Sequence, residues 1–296
     1  LGYDYVRAET VNQALRAKAS MGQSARFMAG GTDVMVLYRA GRLQFKSIIS
    51  LRRVAELNQI KQYPDHIFLG AGVTLDQVLE SPLLKKELPS LVEAVATMGC
   101  TQMRNLATVG GNVMSAVSSA DTIPVLLSLG AQVRLASLDT DHLLDLDGFF
   151  TGPRATKAKA EELLMGFVIP INQGKAVAFS KLGRRKSLDL AVVNLAVWLS
   201  LDEKGRTVEK ARISAGAVGP TPLMLKQAAR ALRGHQADKP LSGDILEAAL
   251  ADTLPWDDIR ASAWYRRQVL KVLLQRTVLS AIKRAQTPPG AREAGK

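Results

Sequence analysis

The stretch T-V-G-G-N-V-M-S-A-V-S-S-A-D-T-I-P, Thr108 to Pro124, carries a paired glycine followed by an amide, several hydroxyls and a carboxylate. Gly110 and Gly111 can take positive φ and let a ligand approach the main chain, so that consecutive amide hydrogens converge on a phosphate. Asn112, Ser115 and Asp121 add side chains able to bond phosphate, ribose and a ring edge. Polar residues beside a tight turn are the plain alternative. A second paired glycine stands in A-G-G-T-D, Ala29 to Asp33, after the strand-like A-R-F-M-A of Ala25 to Ala29. Thr32 and Asp33 can cap a helix through Val34, Met35, Leu37 and Tyr38, and a helix N-terminus there adds partial positive charge. Asp33 is itself an anion at that position, so capping is its alternative use.

Around these segments the chain mixes strands and helices without a regular period. A helix is predicted over Val11 to Ala19, with further helices near Leu75 to Glu80 and Ser90 to Met98. Strands are predicted at Ser47 to Leu51, Ile67 to Leu69, Val133 to Ala136 and Leu163 to Ile169. The cluster Pro170, Asn172, Gln173, Gly174 is rich in turn formers and marks the main boundary. Beyond it, Ala176 to Lys181, Ala191 to Leu201 and Val208 to Val218 read as three long strands, the last two joined by a turn at Asp202 to Gly205. Helices follow at Leu223 to Leu232, Asp244 to Thr253 and Arg260 to Ala285. Strands followed by helices argue for an α+β unit. The expected domains are residues 1–173 and 174–288, with a frayed tail at 289–296.

At 296 residues, 47% hydrophobic and 22% charged, the chain has ordinary globular composition and length for two domains. No apolar run nears the roughly 18 residues of a membrane span, and Leu1 to Arg7 do not read as an export signal. Cys100 is the only cysteine, which excludes an internal disulfide and a cysteine-ligated zinc or iron-sulfur site in this chain and fits a reducing, cytoplasmic setting. His66, His142 and His235 are far apart and lack metal-ligand spacing, so any redox chemistry must come from an organic cofactor. The net charge is +12, and Trp264 to Lys296 hold eight basic residues against the single acid Glu293. That segment reads as a helix with a charged solvent face, the alternative being a docking surface for an acidic partner subunit. The chain lacks the aromatic and basic interleaving that stacks nucleic-acid bases, so nucleic acid is not expected as a partner.

Standard nucleotide fingerprints are missing: there is no Walker sequence, and Gly70-Ala71-Gly72 lacks the third glycine of a dinucleotide turn. Instead, Thr108 to Pro124 together with Ala29 to Asp33 resembles the FAD-binding chain of the molybdenum hydroxylases, the xanthine dehydrogenase and carbon monoxide dehydrogenase family. The resemblance extends to Gly148 to Pro153 (G-F-F-T-G-P), Glu161 to Leu164 (E-E-L-L), Phe179 to Arg185 (F-S-K-L-G-R-R) and Ala261 to Arg266 (A-S-A-W-Y-R), and so covers nearly the whole chain.

The resemblance implies an α+β architecture: a PCMH-type FAD-binding domain of two subdomains, then a domain with a three-stranded antiparallel sheet and helices. It implies non-covalent FAD. Ala29, Gly30, Gly31, Thr32, Asp33 and Val34 would line the pyrophosphate, and Thr108, Gly110, Gly111, Asn112, Ser115 and Asp121 would hold the nucleotide. Leu164 and Lys181 would contact the cofactor from later strands, with Asp189 and Leu190 by the ring. Molybdenum cofactor and [2Fe-2S] clusters are expected on partner chains only, an iron-sulfur subunit and a molybdenum-cofactor subunit. A-G-G-T-D leans toward the xanthine dehydrogenase-like branch, whereas a single cysteine disfavours the 4-hydroxybenzoyl-CoA reductases, which carry a further cluster in this chain. The implied activity is electron transfer from the clusters through FAD to NAD+, in a complex that hydroxylates a purine or other N-heterocycle. The alternatives are a free-standing flavin oxidase, a carbon monoxide dehydrogenase-like or aldehyde or heteroaromatic dehydrogenase with another acceptor, and a basic binding protein whose glycine pairs are only turns.

Overall fold

A computed structural model describes residues 2–171, 176–185 and 188–287. The expected break at Asn172 to Gly174 and the 289–296 tail lie outside the described residues. The chain forms two compact units, one from Leu1–Glu87, Gly99–Ala116 and Ala131–Pro170, the other from Leu88–Met98, Val117–Gly130 and Ile171–Lys296.

The first unit has two main sheets. In a three-stranded parallel sheet, Ser47–Ser50 lies between Asp4–Arg7 and Ala25–Met28. The helices Val11–Met21 and Val34–Arg39 intervene in sequence, as parallel connections require. Ile48 and Ile49 in the central strand are fully buried. The edge strand Asp4–Arg7 is mostly exposed and lacks an apolar alternation, which is why the sequence does not announce it. The second sheet is antiparallel, in the order Ile60–Gln62, His66–Gly70, Leu163–Pro170, Gln132–Ala136, Asp141–Asp145. One core, including Leu15, Ile49, Val54, Leu57, Leu163 and Met165, is shared by both sheets.

The second unit is built on an antiparallel sheet in the order Ala176–Leu182, Val193–Leu201, Val208–Gly216, Leu223–Met224. The three long strands match expectation. Leu223 and Met224, expected to open a helix, form a short fourth strand instead, and the helix starts at Lys226. Residues 193–200 are buried throughout because both faces of their strand are covered. Leu195, Val197 and Leu199 pack with Leu270, Leu274 and Val278 of the long helix Ala263–Gln286. On the opposite face Asn194, Ala196 and Trp198 look toward the helix Thr122–Leu129, where Ser214 Oγ donates to the Pro124 carbonyl at 2.5 Å. Every residue of that helix is buried, so it has no polar face to reveal it in sequence. Pro124 falls in its first turn, where the missing N–H costs nothing, and Gly130 closes it at φ +76°.

Candidate functional site

In the first unit the strand Ala25–Met28 delivers the chain into the double-glycine turn. Gly31 sits at φ +73°, and the backbone at Gly30 approaches Leu106 so closely that a Cβ would overlap its carbonyl. The N–H groups of Gly30, Gly31, Thr32 and Asp33 have no acceptor among the described residues. These residues are half-buried. Four adjacent unpaired donors form a cradle suited to an anion.

Asp33 precedes the helix Val34–Arg39, but its side chain makes no capping bond. Its carboxylate accepts instead from Arg154, at 2.7 Å and 3.2 Å from the two terminal guanidinium nitrogens, and from Ser115 Oγ at 3.0 Å. The helix has only six residues, so the expected dipole contribution is small.

The segment around Gly110 and Gly111 departs from expectation. It is not an open loop but the first turn of a helix, Val109–Met114, capped by Thr108, whose Oγ1 accepts from the Gly111 N–H at 2.9 Å. The N–H groups of Val109 and Gly110 donate to the carbonyls of Val73 and Ala71, and that of Asn112 to Thr108. The amides of residues 109–112 are therefore already satisfied by protein. A Cβ at Gly110 would come within 2.6 Å of Ala71, so this glycine permits close packing of the helix. The side chains of Asn112 and Ser115 are half-buried, and the bond from Ser115 to Asp33 joins this segment to the Ala29–Val34 turn. Gly70 and Gly72 likewise admit the close approach of residues 57–59: a Cβ at Gly70 would meet the Leu57 carbonyl, and one at Gly72 the Asn58 side chain.

Beside Gly30 lies a cleft of about 240 Å³ lined by Ala29, Gly30, Arg52, Asn58, Thr74, Asn105 and Thr108, among others. Arg52 is exposed and has no ion pair or hydrogen bond among the described residues. Arg52, Asn58, Asn105 and Arg154 were invisible to sequence reasoning. Arg154 follows the G-F-F-T-G-P string directly, which is the one local signal that could have pointed to it. Leu164, expected as a cofactor contact, is 4% exposed on the central strand opposite Leu135 and touches none of these groups by hydrogen bond.

The second unit gathers Asp121, Lys181 and Asp189. Lys181 Nζ donates to Asp121 Oδ2 at 2.6 Å, to the Asp189 carbonyl at 3.0 Å and to the Thr97 carbonyl at 3.2 Å. All three of its donors are thus engaged. Asn194, fully buried, donates to Asp121 Oδ1 at 2.7 Å. Burial pushes the Asp121 carboxyl up, and Lys181 and Asn194 offset only part of that. For Asp189 burial acts in the same direction but is outweighed by the N–H groups of Arg185 and Arg184 and by nearby cations, so its carboxyl lies below the usual range. Leu190 is 58% exposed at the end of this loop.

Among the described residues no group of histidine, cysteine and acidic side chains could hold a metal ion, and no helix is long and apolar enough to cross a membrane. Comparison with known proteins finds the family described as FAD binding domain in molybdopterin dehydrogenase over residues 1–172, and CO dehydrogenase flavoprotein C-terminal domain over 178–281. The glyceraldehyde dehydrogenase medium chain of Sulfolobus acidocaldarius is 29% identical over 92% of this chain and 95% of its own. The xanthine dehydrogenase FAD-binding subunit of Escherichia coli O157:H7 is 27% identical over 95% and 96%. The reconstituted CO dehydrogenase structure from Oligotropha carboxidovorans superposes with a TM-score of 0.91 at 28% identity, covering 95% of this chain and 98% of that one.

Proposed function

Because the chain belongs to the family of FAD-binding domains in molybdopterin dehydrogenases, we propose that it is the electron-transfer subunit of a multi-subunit molybdenum hydroxylase. It passes electrons from [2Fe-2S] clusters on an iron-sulfur partner through FAD to NAD+. A separate molybdenum-cofactor subunit hydroxylates a purine or other N-heterocycle, in a cytoplasmic complex. The observation that carries the FAD site is the run of unpaired amides at Gly30 to Asp33 beside the cleft lined by Ala29, Gly30 and Thr108.

These donors fit a pyrophosphate, with Val34, Thr108, Gly110, Gly111, Asn112 and Ser115 completing that wall. Bound FAD supplies hydride and single-electron exchange, so this chain needs no acid-base pair of its own. Its residues bind and orient. On the second unit, Asp121, Lys181, Asp189 and Leu190 are proposed as cofactor contacts in their own right. Lys181 acts there by fixing the Asp189 backbone and the Asp121 carboxylate, because its donors are already engaged. Leu164, buried in the sheet, contributes through packing.

Asn112→Ala is expected to weaken FAD retention by about 1–3 kcal/mol, the cost of leaving a polar partner unpaired. Equal FAD affinity in equilibrium titrations of variant and wild type would remove Asn112 from the site.

The decisive experiment uses the isolated, FAD-loaded chain. It should release FAD into the supernatant on heating and oxidise NADH with an artificial acceptor, yet hydroxylate no heterocycle. Leu190→Trp should impair NADH oxidation while leaving FAD bound. Heterocycle turnover by the lone chain would favour the free-standing oxidase. An FAD-replete chain inert toward NADH would replace NAD+ by another acceptor.

A further inference from the structure

An acidic residue at a phosphate-binding turn is a physical contradiction: Asp33 ends the run of unpaired amides, and its negative charge opposes the anion those amides attract. The structure resolves it locally. Arg154 meets the Asp33 carboxylate with both terminal guanidinium nitrogens, at 2.7 Å and 3.2 Å, while Ser115 Oγ donates a further bond to it at 3.0 Å. A paired guanidinium cancels the carboxylate charge and fixes its orientation, because the fork geometry allows little freedom.

The backbone is committed to this pairing. Arg154 sits at φ +59°, in the left-handed region that side-chain-bearing residues rarely adopt, at the tip of the hairpin formed by Phe150–Gly152 and Ala155–Thr156. Its N–H donates at 3.0 Å to the carbonyl of Ala116, itself at φ +45° just beyond the helix Val109–Met114. Two such residues flank one ion pair, so the hairpin is anchored to the same helix that sends Ser115 to Asp33. Side-chain exposures of 43% for Arg154 and 36% for Asp33 leave the pair within reach of a bound anion.

We propose that Arg154 is a positioning residue of the cofactor site, which neutralises Asp33 so that the Gly30 to Asp33 amides can accept a pyrophosphate. The inference rests on the assignment of this turn to the FAD pyrophosphate. Removing Arg154 should then expose the phosphate to an uncompensated carboxylate, and removing that carboxylate as well should undo the damage. A merely structural role for Arg154 predicts the opposite, since Asp33→Asn restores no anchor for the hairpin.

The test is equilibrium FAD binding to the full chain, read by flavin fluorescence, for Arg154→Gln, Asp33→Asn and the double variant, with the melting temperature of FAD-free protein as a second reading. Arg154→Gln should weaken FAD at least tenfold, with the loss shrinking as salt screens Asp33. With Asp33→Asn as its own reference, the double variant should recover most of the affinity lost by Arg154→Gln. An unaltered affinity in Arg154→Gln, or a double variant as weak as Arg154→Gln, would overturn the inference. Gly31→Val separates the underlying assignment. It strains the turn at φ +73°, so wild-type FAD affinity in that variant would show that the pyrophosphate lies elsewhere and overturn both readings. Weak binding in Gly31→Val without rescue in the double variant would overturn only the role of Arg154.

Discussion

Replacing Arg266 by methionine is expected to cost the second unit about 3–5 kcal/mol, as breaking a buried ionic network by removing one partner does. Arg266 is completely buried and donates to the carbonyls of Val192 at 2.5 Å, Ala217 at 3.2 Å and Trp256 at 3.2 Å, and to Asp258 Oδ1 at 2.7 Å. Methionine fills much of the space but satisfies none of these acceptors. Asp258 keeps Arg260, at 2.7 Å and 3.0 Å, and retains some water access, so most of the cost comes from the buried carbonyls. Urea denaturation followed by tryptophan fluorescence measures it, and a midpoint equal to wild type would refute the account. The same cluster sets a pH dependence. Burial pushes the Asp258 carboxyl up, but bonds and charge from Arg260, with Arg266 behind it, hold it well below the ordinary carboxylate range. A depressed folded value means stability present above the unfolded value of about pH 4 and lost as pH falls below it. The stability gap between wild type and Asp258→Asn should therefore be constant from neutral pH to about 5 and close in stronger acid.

Gly30→Ala should reduce FAD affinity about 100-fold or more, equal to about 2.8 kcal/mol. The added methyl overlaps the Leu106 carbonyl, which is main chain and cannot rotate aside, so the turn must lift away from residues 106–107 and lose its amide arrangement. Gly243→Ala, in the second unit, is the control, because a Cβ there meets nothing within 4 Å. FAD stoichiometry and titration of both variants distinguish local geometry from a general intolerance of glycine loss. Tight FAD binding by Gly30→Ala would contradict the assignment of this turn.

What the sequence made legible depended on range. The run Ala191 to Leu201 read as a strand and Gly30-Gly31 as a turn, because extended-strand preference and positive φ are local properties, whereas the covering of both strand faces shows only in the structure. Gly110-Gly111 misled for the same reason: paired glycines usually punctuate, and only the contact of Gly110 with Ala71 shows that here they let a helix pack closely. The helix Thr122–Leu129 was hidden by total burial, and the strand Asp4–Arg7 by its exposure. Residue types at the candidate site were readable, but their partners were not. Asp33 finds Arg154 across 121 positions and Ser115 across 82, and no spacing rule spans such distances.

The interleaved path of the chain governs how the protein can be made. The helices Pro89–Ala96 and Thr122–Leu129 leave the ribosome long before the strands Ala176–Leu182, Val193–Leu201 and Val208–Gly216 that they cover. During synthesis their apolar surfaces must wait for a sheet that does not yet exist, so the second unit has a high contact order and its nucleus cannot form until the C-terminal half is available. Cutting the chain between 171 and 176 would leave that waiting state permanent on one fragment and an uncovered sheet face on the other.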